Sequence, residues 1–417
     1  MQITIHRGTE EIGGSCVEIE SGEMRIFIDA GLPLDDSPAK LPASIHEADA
    51  VFVSHCHQDH YGLLENLPKD IPVYIGEVGW SFIRARQIFR NRPLPAWNPR
   101  FLRAWDSIAI GDLKITSYLV DHSAPDAYAF LIQDKTRRVF YSGDFRSHGR
   151  KGILFDRLVA HPPSSIDALL IEGTMFGRGT QQHADESQVE EGFFELMRTE
   201  SGPVFLICSG QNIDRLVSGF RAAKRAGRQF VIDIYTAWIL EEMGRASQHT
   251  PQMDWPEVRV LTKGPVASRH YGIVKDNPEH FRDFGKRIFA TGAAIRTDEI
   301  MSDTSRFFIK ANAHTALATI QRIGSGSASV AYSMWPGYMT AKHNPREAPT
   351  YEKLHSMPNV RFETIHTSGH AVVDDLIRLA DALSPKHVIP IHTEHKQDYP
   401  DIFRNVVMLD DGERLSL

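Results

Sequence analysis

Short apolar runs separated by turn residues fill the first part of the chain, and this pattern predicts β-strands. Two of these runs, 16–19 and 24–28, flank the turn-forming pair Ser21-Gly22 and predict a hairpin. Further strands are predicted at 2–5, 50–53, 113–116, 127–132, 138–141 and 168–171. We therefore expect the first part of the chain to be rich in β-sheet.

The pattern changes near residue 185, where apolar strands begin to alternate with helical stretches. Helices are predicted at 185–199 and 212–225, and strongly apolar strands at 204–208 and 229–234. This order is typical of a parallel sheet with crossover helices. It continues to about residue 332, and beyond residue 345 short strands and one helix return at 360–364, 372–383 and 387–391. We expect two structural units, the second inserted into the first.

Composition and charge exclude several classes of protein. The 417 residues are 42% apolar and 24% charged, which suits a globular chain long enough for two domains. The net charge of -7 excludes a generally basic coat for nucleic acid, so such contacts must come from local patches. The three cysteines (Cys16, Cys56 and Cys208) are too few and too scattered for a disulfide framework. Without a signal peptide or an apolar run of about 18 residues, we expect a soluble cytoplasmic protein.

The strongest indication of chemistry is the segment His55-Cys56-His57-Gln58-Asp59-His60, which closely follows the predicted strand 50–53. A cluster there lies on the loop that leaves the C-terminal end of a buried strand. On a turning loop this spacing allows one pair of side chains to reach one metal ion and the next pair a second ion nearby. Two adjacent cations that each keep a position for water are typical of a hydrolase.

Two simpler interpretations of this cluster are a histidine-rich surface loop and a single structural zinc site. Structural zinc sites are usually closed and rich in cysteine. The cluster offers one cysteine, Cys56, which alternates with the histidines. The residue types therefore favour a catalytic metal site over a structural one.

Candidates for the remaining ligands follow other predicted strands. His122, Asp144 and His392 each come just after an apolar run, where side chains from separate strands can converge at one edge of a sheet. Taken singly, each is more typical of a capping or loop residue. Their recurrence at strand ends, in a chain that carries the histidine cluster, favours a dinuclear site.

The combined motifs resemble those of the metallo-β-lactamase fold. The signature, third and fourth motifs of that superfamily match, in order, His55/His57/Asp59/His60, His122 and Asp144. The long α/β stretch between Asp144 and His392 resembles the insert of the β-CASP subgroup, which processes nucleic acids. Within the subgroup the chain is most similar to the ribonuclease J family, and the similar stretches are 11–14, 28–31, 121–127, 142–145 and 366–371.

The resemblance implies an α/β fold: a metallo-β-lactamase αββα sandwich with an inserted β-CASP α/β domain. The domain limits would be 1–175, 176–345 and 346–417, in a short form that lacks the C-terminal domain of longer family members. The implied cofactors are two Zn²⁺ ions, with Mn²⁺ as an alternative. Their ligands would be His55, His57 and His122 for one ion, and Asp59, His60 and His392 for the other, with Asp144 bridging.

The resemblance also implies a ribonuclease mechanism. A hydroxide bridging the two ions would hydrolyse RNA phosphodiester bonds, from the 5′ end or internally, leaving a 5′-phosphate and a 3′-hydroxyl. Asp59, His370 and Glu172 would form the catalytic set, with His370 protonating the leaving oxygen and Glu172 orienting His370. The alternative for His370 is a turn histidine packed beside Gly369.

Two sets of residues are predicted to bind the phosphates of the substrate. Ser368, Gly369 and His370 precede a predicted helix start, where backbone N–H groups and a hydroxyl can bind an anion. Ser333 resembles part of a second phosphate-proximal loop of the subgroup. The alternative for Ser368 is ordinary N-capping of the helix.

A possible surface for RNA lies in the window 78–105, which is rich in arginine and aromatic residues and has no acidic residue. Arg84, Arg86, Arg90 and Arg92 could contact phosphates while the aromatic side chains stack on bases. The alternative is an amphipathic helix with a solvated basic face and a core-facing aromatic side. A second basic run, from Arg215 to Arg228, has the same two interpretations.

Three other functions stay open. A hydrolase of small esters, thioesters or lactones would share the metal cluster but leave the insert, Glu172 and His370 without a role. A non-catalytic metal-binding scaffold and a DNA nuclease are the others; the histidine at position 392 favours RNA over DNA. RNA is the expected partner, a homodimer is an option, and no protein partner can be deduced.

Overall fold

The computed structural model describes residues 1–35, 37–179 and 183–417. Contacts within the chain divide it into two compact units. The first unit comprises Met1–Arg84, Pro93–Thr180 and Gly369–Leu417. The second unit comprises Ala85–Arg92 and Gln181–Ser368, so it is largely one continuous insertion.

Two β-sheets form the centre of the first unit. The first sheet contains β1 Gln2–Arg7, β2 Cys16–Ser21, β3 Met24–Ile28, β4 Ala50–Phe52, β5 Val73–Gly76, β6 Pro99–Leu102 and β20 Arg414–Ser416. The second contains β7 Ser107–Ile110, β8 Leu113–Leu119, β9 Tyr128–Gln133, β10 Arg138–Tyr141, β11 Ala168–Ile171 and β19 His387–Pro390. Their strand orders are β20-β1-β2-β3-β4-β5-β6 and β19-β11-β10-β9-β8-β7.

The alternating side chains of these strands bury two apolar layers. One layer lies between the two sheets and joins residues such as Ile26 and Phe52 of the first sheet to Phe130 and Leu170 of the second. The other layer covers the opposite face of the second sheet with two helices, α3 Ile153–Ala160 and α13 Val373–Leu383. The remaining helices of this part of the chain are α1 Gln58–Tyr61 and α2 Glu77–Phe89. This packing explains why the predicted strands read as nearly continuous apolar runs.

A parallel sheet forms the second unit. Its strands are β12 Val204–Ile207, β13 Gln229–Asp233, β14 Val258–Leu261, β15 Ala294–Ile295, β16 Phe307–Lys310, β17 Ala328–Tyr332 and β18 Val360–Thr364. They lie in the order β15-β14-β13-β16-β12-β17-β18, and every neighbouring pair is parallel. The α-helices are α4 Glu186–Thr199, α5 Ile213–Arg225, α6 Ile234–Gly244, α7 Pro265–Asp276, α8 Pro278–Phe281, α9 Phe284–Ala290, α10 Thr297–Ser302, α11 Ala313–Ile323 and α12 Ala348–Ser356.

The helices predicted at 185–199 and 212–225 form, and each begins one residue later than predicted. The reason is capping: the Asp185 carboxylate accepts hydrogen bonds from the N–H groups of Ser187 and Gln188, so it is the N-cap of α4. Asn212 caps α5 in the same way through the N–H group of Arg215. A capping residue has non-helical backbone, which moves the first helical residue one position along the chain.

The C-terminal boundary of the inserted unit differs from the predicted boundary. The predicted limit is 345/346, whereas the division of the structure falls between Ser368 and Gly369. The cause is β18, whose residues Val360–Thr364 pair in parallel with Ala328–Tyr332 of β17. A strand predicted to belong to the closing part of the first domain is therefore the edge strand of the inserted sheet.

Candidate metal centre

Four site residues follow strands that end at the same edge of the second sheet. Strands β10, β11 and β19 are parallel, and β8 has the same direction because both β8 and β10 are antiparallel to β9. Just beyond the C-terminal ends of these strands lie His122, Asp144, Glu172 and His392. The expectation that side chains from separate strands meet at one edge is therefore met by the geometry.

The histidine cluster begins on the turn after β4 and continues into α1: His57 is the N-cap of this short helix, and Asp59 and His60 lie within it. The segment that follows β3 packs directly on its backbone, since the Ala30 N–H group donates to the His60 carbonyl at 2.9 Å. Gly31 has to be a glycine here, because a Cβ atom would lie 1.6 Å from the Asp59 carbonyl oxygen. The close approach fixes the backbone that carries the cluster.

Three imidazoles form the first group. His55 Nε2 lies 3.0 Å from His57 Nδ1, and His122 Nε2 lies 3.2 Å from the same atom. His55 and His122 are buried, and His57 is half-buried. Three ring nitrogens thus converge with no carboxylate between them, which is the arrangement of a three-histidine metal site.

Two carboxylates and two imidazoles form the second group. His60 Nε2 lies 3.2 Å from Asp144 Oδ2, and His392 Nε2 lies 3.4 Å from Asp59 Oδ2. Asp144 Oδ2 is also 3.7 Å from His55 Nε2. The Asp144 carboxylate therefore adjoins both groups, which is the position required of a bridging ligand.

The pKa values keep the first group neutral. Burial lowers the pKa values of His55, His57 and His122, and the neighbouring imidazoles lower them further. A neutral imidazole is the form that binds a metal ion. The three side chains are therefore prepared to act as ligands without losing a proton at neutral pH.

The carboxylates of the second group are held in the charged form. Burial alone would raise the pKa values of Asp59 and Asp144, but His60 and His392 lower both below the ordinary range. The pKa of His60 is raised, because Asp144 and Asp29 outweigh its burial. Two buried carboxylates kept ionised beside imidazoles attract a cation.

The residues present fit a divalent metal. Asp144 Oδ1 is buried and has no hydrogen-bond partner among the described residues, so it is left for a ligand bond. Cys56 does not join the groups that could hold a metal in the described part of the chain. Burial raises the pKa of the Cys56 thiol to about 12, so it stays protonated. The donor set is imidazole and carboxylate, as in catalytic rather than structural sites.

Hydrogen bonds from outside the two groups orient three of the imidazoles. His60 Nδ1 lies 2.8 Å from Asp29 Oδ2, and His392 Nδ1 lies 2.9 Å from Thr174 Oγ1. His122 Nδ1 lies 2.6 Å from the carbonyl oxygen of Gly369. In each case Nε2 is directed toward the metal groups, which fixes the ring position before any ion binds.

His370 and Glu172 form a pair beside the metal groups. His370 Nδ1 lies 3.0 Å from Glu172 Oε2 and 3.6 Å from Asp144 Oδ2. The Glu172 carboxylate also accepts from the backbone N–H groups of Phe145 and Ala371, at 3.1 and 3.4 Å. Burial lowers the pKa of His370, but Glu172 and Asp144 outweigh it and the net direction is upward. The imidazole is thus positioned by a carboxylate and biased toward its protonated form.

The predicted phosphate-binding residues fall in different places. Gly369 lies in the first unit beside His122, where a Cβ atom would meet Ser123 Oγ at 2.8 Å. Ser368 is the last residue of the second unit and does not cap α13, which begins at Val373 after Val372. Ser333 also lies in the second unit, buried, with its hydroxyl donating to the Ile365 carbonyl and accepting from Arg215. Its oxygen is therefore already used within the fold.

The arginine-rich window divides between surface and core. Arg90 and Arg92 are exposed, whereas Arg84 and Arg86 are half-buried on α2. Of the six aromatic side chains of the window, three are buried (Phe82, Phe89 and Trp97), Trp80 is half-buried, and Phe101 and Trp105 are exposed. In the second basic run Arg215 and Arg228 are buried and bind protein groups. The three buried aromatic residues and these two arginines therefore belong to the protein interior, as the alternative interpretation expects.

Sequence reasoning missed Thr174 and the role of Asp29. Thr174 follows Glu172 by two positions, and nothing in the sequence distinguishes it from a loop threonine. Asp29 has a positive φ of 59°, a conformation that favours glycine and that its residue type does not reveal. The signals available for Asp29 were its place at the end of an apolar strand and its inclusion in the stretch 28–31 that resembles the family, and neither indicates that it orients His60.

Two family models match the chain. Residues 24–196 match the model of the beta-lactamase superfamily domain. Residues 358–399 match the Zn-dependent metallo-hydrolase RNA specificity domain. The first match contains six of the seven candidate metal ligands, and the second contains His370 and the seventh ligand, His392.

Curated relatives extend the similarity over the whole chain. A ribonuclease J from Helicobacter pylori is 21% identical, covering 100% of this chain and 61% of the relative. A ribonuclease J from Mycobacterium tuberculosis is 23% identical, covering 94% and 68%. A probable ribonuclease from Methanocaldococcus jannaschii is 26% identical over 48% of this chain and 50% of its own length. The chain thus spans about three fifths of the length of the first of these relatives.

A solved structure shows the same fold. The crystal structure of a protein of unknown function from Enterococcus faecalis V583 matches with a TM-score of 0.76 at 18% identity, covering 100% of this chain and 99% of that one. The fold and the site define a metallo-β-lactamase-superfamily protein with an inserted α/β unit. Residues 24–196 match that superfamily, residues 358–399 match the RNA specificity domain, and the chain is similar over its length to ribonuclease J proteins. No helix among the described residues is long and apolar enough to cross a membrane.

Proposed function

We propose that the chain is a metal-dependent ribonuclease that hydrolyses RNA phosphodiester bonds. The observation that carries the proposal is the Glu172–His370 pair, at 3.0 Å, beside the convergent metal-binding side chains. A hydrolase of small esters needs the metal groups but has no use for this second pair. The match of residues 358–399 to an RNA specificity domain supports the same substrate class.

The proposed cofactors are two Zn²⁺ ions, and Mn²⁺ would also suit ligands of this type. His55, His57 and His122 would hold one ion, and Asp59, His60 and His392 the other, with Asp144 shared. Bound divalent ions would supply an activated water at neutral pH and neutralise charge on the phosphoryl oxygens. The protein contributes a rigid, buried set of ligands whose ring positions are fixed by Asp29, Thr174 and the Gly369 carbonyl.

His370 is the proposed general acid. Its Nδ1 lies within hydrogen-bond distance of Glu172, and the protonated ring would give a proton to the leaving 3′ oxygen. Glu172 fixes the ring and stabilises its protonated form through its negative charge. The products would be a 5′-phosphate and a 3′-hydroxyl, in exonucleolytic digestion from the 5′ end, in internal cleavage, or in both.

Backbone close to the metal groups is the proposed contact for substrate phosphates. A Cβ atom at Gly369 would lie 2.8 Å from Ser123 Oγ and 3.3 Å from His122 Cε1, so the backbone of this residue lies beside a candidate metal ligand, and we place a substrate phosphate there. Arg90 and Arg92, which are exposed, are the proposed phosphate contacts of the arginine-rich window.

End-labelled RNAs that differ only in a 5′-monophosphate, 5′-triphosphate or 5′-hydroxyl test the proposal. Each would be incubated with the full chain and Zn²⁺ or Mn²⁺, beside an Asp59→Ala variant. We expect cleavage that Asp59→Ala abolishes, and product lengths that separate exonuclease from endonuclease action. Equal results for the wild type and Asp59→Ala on every RNA, with turnover of a small ester instead, would overturn the proposal.

His370→Ala tests the assignment of the general acid. General acid catalysis contributes about 10²–10⁴-fold, so RNA cleavage should fall by that order while bound metal stays at the wild-type level. A substrate whose leaving group needs no proton, such as a nitrophenyl phosphodiester, should be cleaved almost normally. Full activity of metal-loaded His370→Ala on RNA would remove His370 from the mechanism.

A further inference from the structure

A loop of the second unit presents an exposed aromatic cluster that the proposed chemistry does not use. The aromatic loop, residues 334–346, leaves the C-terminal end of β17, and its sequence is MWPGYMTAKHNPR. Trp335 contacts Tyr338 and His343 edge to face, with ring centroids 5.3 and 4.8 Å apart. Tyr338 is 37% exposed and His343 is exposed as well. Large aromatic side chains clustered at a surface are characteristic of a binding site.

The loop is held rigidly at its base. Met334 and Met339 pack against the apolar core of the inserted sheet, so the segment between them projects outward from two fixed points. The Tyr332 hydroxyl, at the end of β17, donates to the Trp335 carbonyl at 3.0 Å. Gly337 lies flat against the indole, because a Cβ atom there would be 2.2 Å from a ring carbon of Trp335. A rigid aromatic surface binds a ligand with little loss of conformational entropy.

Charge indicates which class of ligand fits the loop. The aromatic loop contains no aspartate or glutamate, although the chain as a whole has a net charge of -7. Two cations, Lys342 and Arg346, are exposed within the loop beside His343. The exposed ring of Tyr338, the half-buried ring of Trp335 and the two cations match the bases and phosphates of a single nucleic acid strand. The nearest acid along the chain after the loop is Glu347, which is half-buried.

We propose that the aromatic loop is a base-stacking site for single-stranded RNA, in which Trp335 and Tyr338 contact bases while Lys342 and Arg346 contact phosphates. This inference rests on the proposed ribonuclease function and adds a substrate contact to it. Stacking tolerates any base, so the loop would favour unpaired RNA over a duplex without selecting a sequence.

Binding of short labelled RNAs to the full chain tests the inference, in an Asp59→Asn background that prevents cleavage. The probes are a base-bearing single strand, an abasic strand with the same phosphates, and a duplex. We expect the base-bearing strand to bind at least about tenfold more tightly than the abasic one, the factor expected for one stacked base. Tyr338→Ala and Trp335→Ala should each remove most of that difference.

Three further variants separate stacking from charge and from folding. Tyr338→Phe keeps the ring and should bind like the parent. Lys342→Ala/Arg346→Ala should weaken base-bearing and abasic strands equally, and more steeply at low salt. Phe289→Ala, at another exposed aromatic residue of the same unit (52% exposed), should have no effect. Thermal melts of each variant show whether it is folded.

The outcomes distinguish this inference from the proposed function. If the wild type cleaves RNA but Tyr338→Ala and Trp335→Ala retain the preference for base-bearing strands, the stacking site is wrong and the ribonuclease stands. Loss of self-association in Tyr338→Ala with unchanged RNA binding would assign the loop to a contact between copies of the chain, and would also overturn the inference. If the wild type cleaves no RNA, the proposed function is wrong, and the binding measurements decide the stacking site separately.

Discussion

His60 Nδ1 lies 2.8 Å from Asp29 Oδ2, so a buried carboxylate outside the metal groups holds the imidazole of one candidate ligand. The same carboxylate accepts from the Ser54 N–H group at 2.7 Å, the Ser54 hydroxyl at 2.8 Å and the Tyr141 hydroxyl at 2.8 Å. Four donors thus share two oxygens with no exposure to water. Asp29 therefore holds the His60 ring in place and also joins the segments that carry Ser54 and Tyr141.

Asp29→Asn should weaken metal binding. The amide removes the negative charge beside His60 and replaces one acceptor oxygen with a donor. At the Oδ1 position that donor would face the Ser54 N–H group, and at the Oδ2 position it would face His60 and the hydroxyls of Ser54 and Tyr141. Loss of such an outer partner typically costs about 10–100-fold in metal affinity, and we expect a decrease of that order for Zn²⁺, measured by competition with a chelator. The control is Tyr141→Phe, which removes one donor but leaves the carboxylate on His60. Equal affinities for Asp29→Asn and the wild type would contradict the role assigned to Asp29.

Thr174→Val and Thr174→Ser form a matched test of the hydrogen bond to His392. Thr174 is buried, and its hydroxyl lies 2.9 Å from His392 Nδ1. Valine keeps the shape of the side chain but removes the oxygen, whereas serine keeps the oxygen. We expect Thr174→Val to lose about 10–100-fold in metal affinity and Thr174→Ser to stay near the wild type.

The absorption spectrum of the cobalt-loaded protein gives a readout that a purely structural role would not change. The visible bands of Co²⁺ depend on the number and geometry of its ligands, so Thr174→Val should alter them even where the site is saturated. If Thr174→Val and Thr174→Ser give the same spectrum and the same affinity, His392 is oriented by other contacts, such as its backbone bond to Gly8 at 2.6 Å.

These two residues also mark how far the sequence could lead. The ligand positions were readable because each follows an apolar strand and because the spacing of His55, His57, Asp59 and His60 is typical of metal ligands. Thr174 and Asp29 act through hydrogen bonds to residues distant in the chain, which strand ends and spacing do not reveal. The convergence of the candidate ligands was thus predictable from local pattern, whereas the residues that orient them required the fold.

The limit of the inserted unit was unpredictable for a similar reason. The apolar alternation at 360–364 correctly predicted β18 as a strand, but the sequence of a strand does not show which other strand it pairs with. The parallel register that joins Tyr332 to Thr364 depends on chain segments about 30 residues apart. Local pattern therefore predicts elements better than the sheets to which they belong.

The half-buried ion pair of Asp233 and Lys310 should give the inserted unit a defined dependence on pH. Lys310 Nζ lies 2.6 Å from Asp233 Oδ2. Burial alone would raise the pKa of Asp233, but Lys310 lowers it below the ordinary value of 3.8. Burial alone would lower the pKa of Lys310, but Asp233 raises it above 10.5. A depressed carboxyl pKa stabilises the fold above 3.8 and ceases to do so as the pH falls through the lowered value.

Denaturant unfolding of the wild type and of Asp233→Asn/Lys310→Met measures this contribution. The double variant removes both charges, so neither is left without its opposite charge. We expect the difference in unfolding free energy between the two proteins to be constant from weakly acidic to weakly alkaline pH. Below pH 3.8 the wild type should lose stability relative to the double variant, because Asp233 gains its proton. A difference that stays constant through the acid range would show that the pair does not set the pKa of Asp233.

Arg215→Met should destabilise the inserted unit strongly, because Arg215 is fully buried and joins three segments of it. Its guanidinium lies 3.1 Å from Glu186 Oε1, and it donates to the carbonyls of Ser333 and Thr367 at 2.9 and 3.1 Å. Removing the cation leaves the Glu186 carboxylate buried without its partner, which typically costs about 3–5 kcal/mol. The loss should appear as a lower midpoint of chemical unfolding.

The double variant Arg215→Met/Glu186→Gln separates the charge from the packing. Glutamine no longer leaves a charge buried, so the double variant should be more stable than Arg215→Met alone, even though it carries one more substitution. The bonds from Arg215 to the two carbonyls stay lost in both variants, so recovery should be partial. If the double variant were less stable than the single one, the cost of Arg215→Met would come from the lost carbonyl bonds, and Glu186 would contribute through packing rather than charge.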